Sequence, residues 1–218
     1  MFISVIIPAY NAEATLAESI VSVQAQSLVP LQVVVVDDCS TDATAEIARM
    51  LGVGTIRHTL NQGVAAAINT GLRACLGDAV AILDADDLWP ANALQMQSDV
   101  MTQTGADAVV GCVQEFVCPS LVHDVAEVLP RPVQPGWLYG STLVRRTAFE
   151  RVGPFDPELR TGAWIDWMSR AKGKVTFELN PEVVLGRRLR PGTLSCNPAQ
   201  RAKDMLKLAR AAIQRSRG

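Results

Sequence analysis

The sequence contains no apolar run approaching the roughly 18 residues that a bilayer-spanning helix needs, so no membrane span is expected. Histidine is scarce, at 2 residues, and the 5 cysteines are scattered without a Cys-x-x-Cys pair. That pattern argues against a zinc ribbon or a disulfide framework; it fits reduced thiols filling the core of a cytoplasmic protein. Met1 runs straight into Phe2-Ile3-Ser4-Val5-Ile6-Ile7, with no basic segment and no small-residue cleavage site, so no secretory signal is expected. Internal repeats and low-complexity tracts are missing. No Gly-x-Gly-x-x-Gly follows the first apolar run, which argues against a Rossmann dehydrogenase. What remains is ordinary globular composition: 218 residues, 49% hydrophobic, enough for one domain with a sizeable core.

Charge is unevenly spread. Residues 1–186 hold 11 Lys/Arg against 21 Asp/Glu, whereas residues 187–218 hold 9 Lys/Arg against one acid, Asp204. A basic arm of this kind implies an anionic contact: a membrane surface, a phosphate, or the protein's own acidic face.

The chain punctuates itself regularly through its first half. Apolar runs at Phe2–Ile7, Leu31–Val36, Thr55–His58, Ala79–Leu83 and Ala108–Val113 read as strands. Between them, Ala12–Gln26 (with Asn11 as N-cap), Asp42–Leu51 (capped by Thr41), Gln62–Leu76 and Ala91–Thr104 read as helices. Alternation of this kind predicts an α/β fold with a mostly parallel sheet covered on both faces. Beyond residue 113 proline becomes frequent. Short strands are expected at Leu121–Val128, Thr142–Val144, Val175–Leu179 and Val183–Leu189, with helices over Arg146–Val152 and Gly162–Lys172. Ala199–Arg217 reads as a basic amphipathic helix with Met205, Leu208 and Ala212 on its apolar side. The divisions expected are 1–113, 114–197 and 198–218.

The chemistry gathers where strands end. The run Ala79–Leu83 stops at Asp84, Asp86 and Asp87, and Leu31–Val36 stops at Asp37-Asp38. Ligands of open α/β sheets bind just beyond the carboxyl ends of strands. Three crowded carboxylates there suit a hard cation, Mg²⁺ or Mn²⁺, which in turn grips phosphate. The plainer reading is that Asp86 and Asp87 cap the next helix. Tyr10, after the first strand, offers a face for a nucleobase, and Asp38 an acceptor for a base N–H. The plainer readings are a packed turn aromatic and an Asx turn with Ser40-Thr41.

Four stretches, PAYNAEATLAESIVSVQAQS, VVVVDDCSTDATAEIA, HTLNQGVAAAINTGLRAC and AVAILDADDLW, occur in the order of the blocks of glycosyltransferase family 2. The sequence resembles that family continuously over roughly residues 2–100 and again at RTAFERVGPFDPELRTGAWIDWMSR, with a thinner match across 115–135. The resemblance implies a GT-A fold and sugar transfer from a nucleotide-diphosphate donor, a UDP-sugar by expectation, with inversion. It places Pro8, Ala9, Tyr10 and Asp38 around the base and Asn61, Gly63 and Asn69 along the donor site. Asp84 would lie near ribose and metal, with Asp86 as the main ligand of Mn²⁺ or Mg²⁺.

Two positions depart from the family pattern. Aligned on Asp166-Trp167 and Arg170, the Glu-Asp pair that normally supplies the base is Ala163-Trp164 here. Asp166, the one carboxylate left, is either the base or an i, i+4 partner of Arg170. The family's late histidine is also missing. One of Arg187, Arg188 and Arg190 is expected to contact phosphate instead, and neither His58 nor His123 replaces it. Hence a second reading, a degenerate relative acting as a nucleotide-binding or scaffold partner. A haloacid-dehalogenase phosphatase is a poorer one, because Leu88 stands where that motif needs Thr or Val. Trp137, Tyr139, Trp164 and Trp167 could stack on the sugars of an acceptor, be it glycan, lipid-linked or peptide, or else pack a core. The basic helix could rest on the inner face of an anionic membrane, hold a lipid-linked acceptor or bind an acidic partner, and no nucleic acid is expected.

Overall fold

The computed structural model describes residues 1–118, 130–189 and 202–209. The expected strand Leu121–Val128, His123, Arg190, Cys196 and most of the basic arm lie outside the described residues.

The valine- and isoleucine-rich runs form the strands of one eight-stranded sheet. They are β1 (Ile3–Ala9), β2 (Gln32–Asp37), β3 (Gly54–Arg57), β4 (Ala79–Ile82), β5 (Ala108–Val117), β6 (Gln134–Pro135), β7 (Thr142–Arg145) and β8 (Phe177–Leu189). Their order is β3-β2-β1-β4-β7-β5-β6, with β8 also paired to β5. β1 to β4 pair in parallel, β7 runs antiparallel to both β4 and β5, and β8 lies parallel to β5. β5 crosses residue 113, so the two halves expected from sequence share this one sheet.

Among the described residues the helices that cover it include α1 (Leu16–Gln24), α2 (Thr44–Met50), α3 (Val64–Ala74), α4 (Ala93–Thr104), α5 (Arg146–Val152) and α6 (Ala163–Ala171). Side chains of a strand alternate between faces, and the core divides accordingly. Ile3, Val5 and Ile7 meet Leu16, Ile20, Ala48, Leu94 and Met101 on one side. Ile6, Val80 and Ile82 meet Ile68, Phe149, Trp164 and Trp167 on the other.

Several boundaries differ from the sequence expectation for identifiable reasons. α1 begins at Leu16 rather than Ala12, because Asn11 sits at φ 46° and accepts a hydrogen bond from Thr41 N (2.9 Å) instead of capping. Thr41 does not cap α2 either; Asp42 Oδ1 accepts from Thr44 N at 3.0 Å. The two late strands are one. β8 continues through Asn180-Pro181, and the register against β5 shifts beside Cys112, a bulge that absorbs the proline's missing donor.

Trp164 and Trp167 are core residues, 5% and 0% exposed, stacked on each other at 5.1 Å, so neither offers a face to an acceptor. In the helical segment 202–209 the packed side is Asp204 and Leu208, not Met205, which is 55% exposed. Asp204 accepts from Thr161 N and Oγ1 at 2.6 and 2.8 Å, bonds that offset the cost of burying its carboxylate. The arm's acid thus docks on the entry to α6.

Candidate functional site

The carboxyl ends of β1, β2 and β4 converge on one edge. At the end of β4, the turn 84–88 carries three aspartates whose oxygens lie within 4.8 Å of one another, one from each of Asp84, Asp86 and Asp87. The capping alternative fails: α4 starts at Ala93 behind Asn92, with no side-chain cap at all.

The turn is gripped from three sides. From the start of α1, Thr15 Oγ1, just before the helix, donates to Ala85 O and Ser19 Oγ to Asp87 O, both at 2.8 Å. From β8, Leu88 and Gly186 exchange backbone hydrogen bonds, and Arg188 N donates to Asp87 Oδ1 at 2.8 Å. From the loop before β7, Tyr139 Oη donates to Asp84 Oδ1 at 2.5 Å, and Trp89 Nε1 donates to Gly140 O. Backbone polar groups satisfied in this way keep like charges together without relying on mobile water.

Electrostatics records the crowding. Burial, with the neighbouring Asp86 charge, pushes Asp84 up to about 6, against the opposing pull of Tyr139 and Arg187. Burial and the charges of Asp84 and Asp86 push Asp87 well above the carboxylate range. A divalent cation among these oxygens would remove the repulsion, so the donor set fits a hard ion.

Beside this turn lies a second set. Asp38 is buried at 3% exposure. Its carboxylate accepts from Gln62 N (2.9 Å) and Gly63 N (2.6 Å), and His58 Nδ1 lies 2.7 Å away. Gly63 adopts φ 92°, a left-handed conformation that glycine tolerates freely. The Asx-type turn belongs to Asp37, whose Oδ1 accepts from Ser40 N at 2.9 Å. Asn11 N donates to Ser40 Oγ, so the loops after β1 and β2 are tied together, with Tyr10 half exposed at their edge. Pro8 and Ala9 are buried members of β1, and Ala9 O accepts from Asp38 N. Asn61 Oδ1 accepts from Arg160 Nη1 at 3.0 Å. Asn69 spends both ends of its amide on the Phe155 backbone, at 2.8 and 2.9 Å, which fastens α3 to the loop before α6.

On α6, Asp166 is buried and its Oδ2 accepts from Arg170 Nε at 2.8 Å, while the other guanidinium nitrogens donate to Val152 O and Pro154 O. Of the late arginines, Arg188 is fully engaged. Its guanidinium pairs with Glu18, donates to Asp86 O and lies 5.0 Å over the Phe116 ring. Arg187 lies between Glu115, 3.3 Å away, and the aspartates whose charge it offsets.

The structure therefore brings together Asp84, Asp86 and Asp87 on one turn, and Tyr10, Asp38, Asn61 and Gly63 on adjoining loops. The sequence reading counted Asp87 among the crowded carboxylates but gave the metal to Asp86 and Asp84, took Tyr139 only as a stacking or core aromatic, and missed Arg160 and the role of His58. Only Asp87 carried a sequence signal, its place in the acidic run; the other contacts span 20 to 99 residues of chain.

Comparison with known proteins agrees with this geometry. Residues 4–122 match the family described as Glycosyl transferase family 2. An uncharacterized glycosyltransferase of Nostoc sp. is 33% identical over 191 residues, covering 76% of this chain and 57% of its own length. The UDP-Glc:alpha-D-GlcNAc-diphosphoundecaprenol beta-1,3-glucosyltransferase WfgD of Escherichia coli is 37% identical over 112 residues, covering 50% of this chain and 44% of that enzyme. The chain thus spans about half the length of these curated relatives. Among solved structures, S. aureus TarS in complex with UDP superposes with a TM-score of 0.74 at 19% identity, covering 97% of this chain and 64% of that one. TarS in complex with UDP-GlcNAc gives the same TM-score at 20% identity, with 90% and 61% covered. The fold is that of these GT-A-like proteins.

Proposed function

The chain belongs to glycosyl transferase family 2, and on that premise we propose that it transfers a sugar from a nucleotide-diphosphate donor, a UDP-sugar, to a hydroxyl acceptor with inversion. The observation that carries the proposal is the gripped turn of Asp84, Asp86 and Asp87 beside the Asp38 loops. Asp86 and Asp84 would hold Mn²⁺ or Mg²⁺, with Asp87 in the same oxygen cluster. Such an ion, when bound, neutralises the departing diphosphate as a Lewis acid. Tyr10 and Asp38 receive the base, the Asn61–Gly63 loop lies along the donor, and Arg187 faces its phosphates. The acceptor oxygen bonds to the anomeric carbon from the side opposite the diphosphate as the bond to that group breaks, and the hydroxyl proton passes to solvent water.

Asp166 was open to two roles. Its ion pair with Arg170 supports the second, fastening α6 to residues 152–154, and we assign it that positioning part. The exposed Met205, Leu206, Lys203 and Lys207 of segment 202–209 support peripheral contact with an anionic membrane from the cytoplasmic side. No helix among the described residues is long and apolar enough to cross one. Salt-sensitive binding to anionic vesicles, lost on deleting 199–218, checks that contact.

The direct test of the reaction is release of UDP from a panel of UDP-sugars in the presence of Mn²⁺. Release that requires both metal and Asp86 supports the proposal. Tight UDP binding without turnover on any donor would favour the nucleotide-binding scaffold, a reading that the Trp164 substitution at the family's base position keeps in view.

A further inference from the structure

The sheet order sets a line across the molecule. The candidate nucleotide loops follow β1 and β2, the acidic turn follows β4, and beyond β7 come β5 and β6. At that far end a cavity of about 250 Å³ opens between β5, β6 and the loop before β7. Its walls are of two kinds. Trp137, Pro132 and Leu138 form an apolar side, and Glu115, Arg131 and Arg187 form a polar one.

Trp137 is 49% exposed, yet its ring is fixed from behind by edge-on contact with Phe177 at 6.1 Å. The polar wall is preorganised too. Glu115 is nearly buried, and Arg131 grips both its oxygens at 2.7 to 3.3 Å while Arg187 approaches from the other side. Although burial opposes it, those bonds and charges hold the Glu115 carboxyl below its ordinary range, so it stays an acceptor at neutral pH.

The cavity is coupled to the acidic turn twice. Arg187 lines it and also offsets the charge of Asp84 and Asp87. Leu138 lines it, and the next residue, Tyr139, donates to Asp84.

We infer that this cavity is the subsite for the acceptor, and that it takes a single pyranose ring. A half-exposed, rigid indole offers the flat apolar face that the C–H side of a sugar covers. A carboxylate flanked by guanidinium groups offers fixed acceptors and donors to neighbouring hydroxyls. The volume lies just under the ~300 Å³ at which drug-sized sites begin, which suits one ring rather than a chain. Through Arg187 and the Leu138–Tyr139 step, the cavity adjoins the turn over which the donor sugar would be carried. The inference rests on the donor reading above.

The test uses saturation-transfer NMR on the whole chain with UDP and Mg²⁺, and with the methyl glycosides of glucose, galactose, mannose and N-acetylglucosamine as probes. At least one glycoside should be saturated by the wild type. The signal should fall at least fivefold in Trp137→Ala and in Glu115→Gln, while UDP affinity stays within twofold by calorimetry. UDP binding with no saturated glycoside overturns the subsite alone, as does a signal undiminished in both variants. Failure of the wild type to bind UDP while a Trp137-dependent glycoside signal persists overturns the donor reading and leaves the subsite standing.

Discussion

The two ends of this sheet are built differently. At the β1–β2–β4 end, the polar groups sit on short loops directly after buried strands, and the backbone supplies most of their partners. Asp38 is held by Gln62 N and Gly63 N, and the acidic turn by α1, β8 and Gly140. At the β5–β8 end, side chains hold a side chain: Glu115 sits between Arg131 and Arg187. The first arrangement makes a site whose shape is fixed by the fold. The second makes one whose chemistry changes with single substitutions.

That contrast can be broken at its strongest point. Asp38→Ala removes the acceptor of three buried or half-buried donors, and charge-assisted bonds of this kind contribute ~1.5–3 kcal/mol each before water refills the gap. Denaturant unfolding should show a loss of about 4 kcal/mol, together with loss of UDP binding. A stable variant would mean that the loops do not depend on Asp38.

On α6, Asp166→Asn should cost about 2 kcal/mol, because Arg170 keeps its two carbonyl partners while losing its ion pair. If positioning is its part, the melting temperature falls and UDP affinity does not. A turnover rate that collapses with stability unchanged would instead make Asp166 the base.

The acidic turn gives a pH signature. Asp84 has its folded value raised to about 6 from 3.8. A carboxylate raised on folding destabilises the fold above the folded value, and the penalty is relieved as pH falls through it. In metal-free buffer at pH 7.5, Asp84→Asn should therefore be more stable than wild type by about 2 kcal/mol, with the advantage gone near pH 4. Urea titrations at the two pH values check this. Equal stabilities at pH 7.5 would show that the crowding is not felt.

The smallest effect expected is at Tyr139. Tyr139→Phe leaves the packing and deletes one hydrogen bond to Asp84, worth about 1 kcal/mol, so Mn²⁺ affinity should weaken roughly fivefold with the melting temperature nearly unchanged.

The same contrast explains what the sequence disclosed. Parallel strands buried on both faces announce themselves as unbroken apolar runs, and a carboxylate that ends one is visible in one dimension. Asp38, Asp84 and Asp86 were legible for that reason, and so was the strand–helix alternation. Long-range satisfaction is not visible. Nothing near Asn69 in the chain says that its amide closes on Phe155, nor does the stretch around Tyr139 point to Asp84. The aromatic residues of the second half misled because periodicity does not separate a tryptophan that packs from one that offers a face. Trp137 and Trp167 differ only in what the sheet sets against them. Asp204 was hidden among basic residues, yet together with Leu208 it is what the helical segment 202–209 buries.

The central claim is that the turn of Asp84, Asp86 and Asp87 holds a metal for a nucleoside diphosphate. Calorimetric titration with UDP and with GDP, each with and without Mn²⁺, on wild type and on Asp86→Ala, tests it most directly. The account predicts metal-dependent UDP binding that weakens at least a hundredfold in the variant. Binding of neither nucleotide, or UDP binding indifferent to both Mn²⁺ and Asp86, would contradict it.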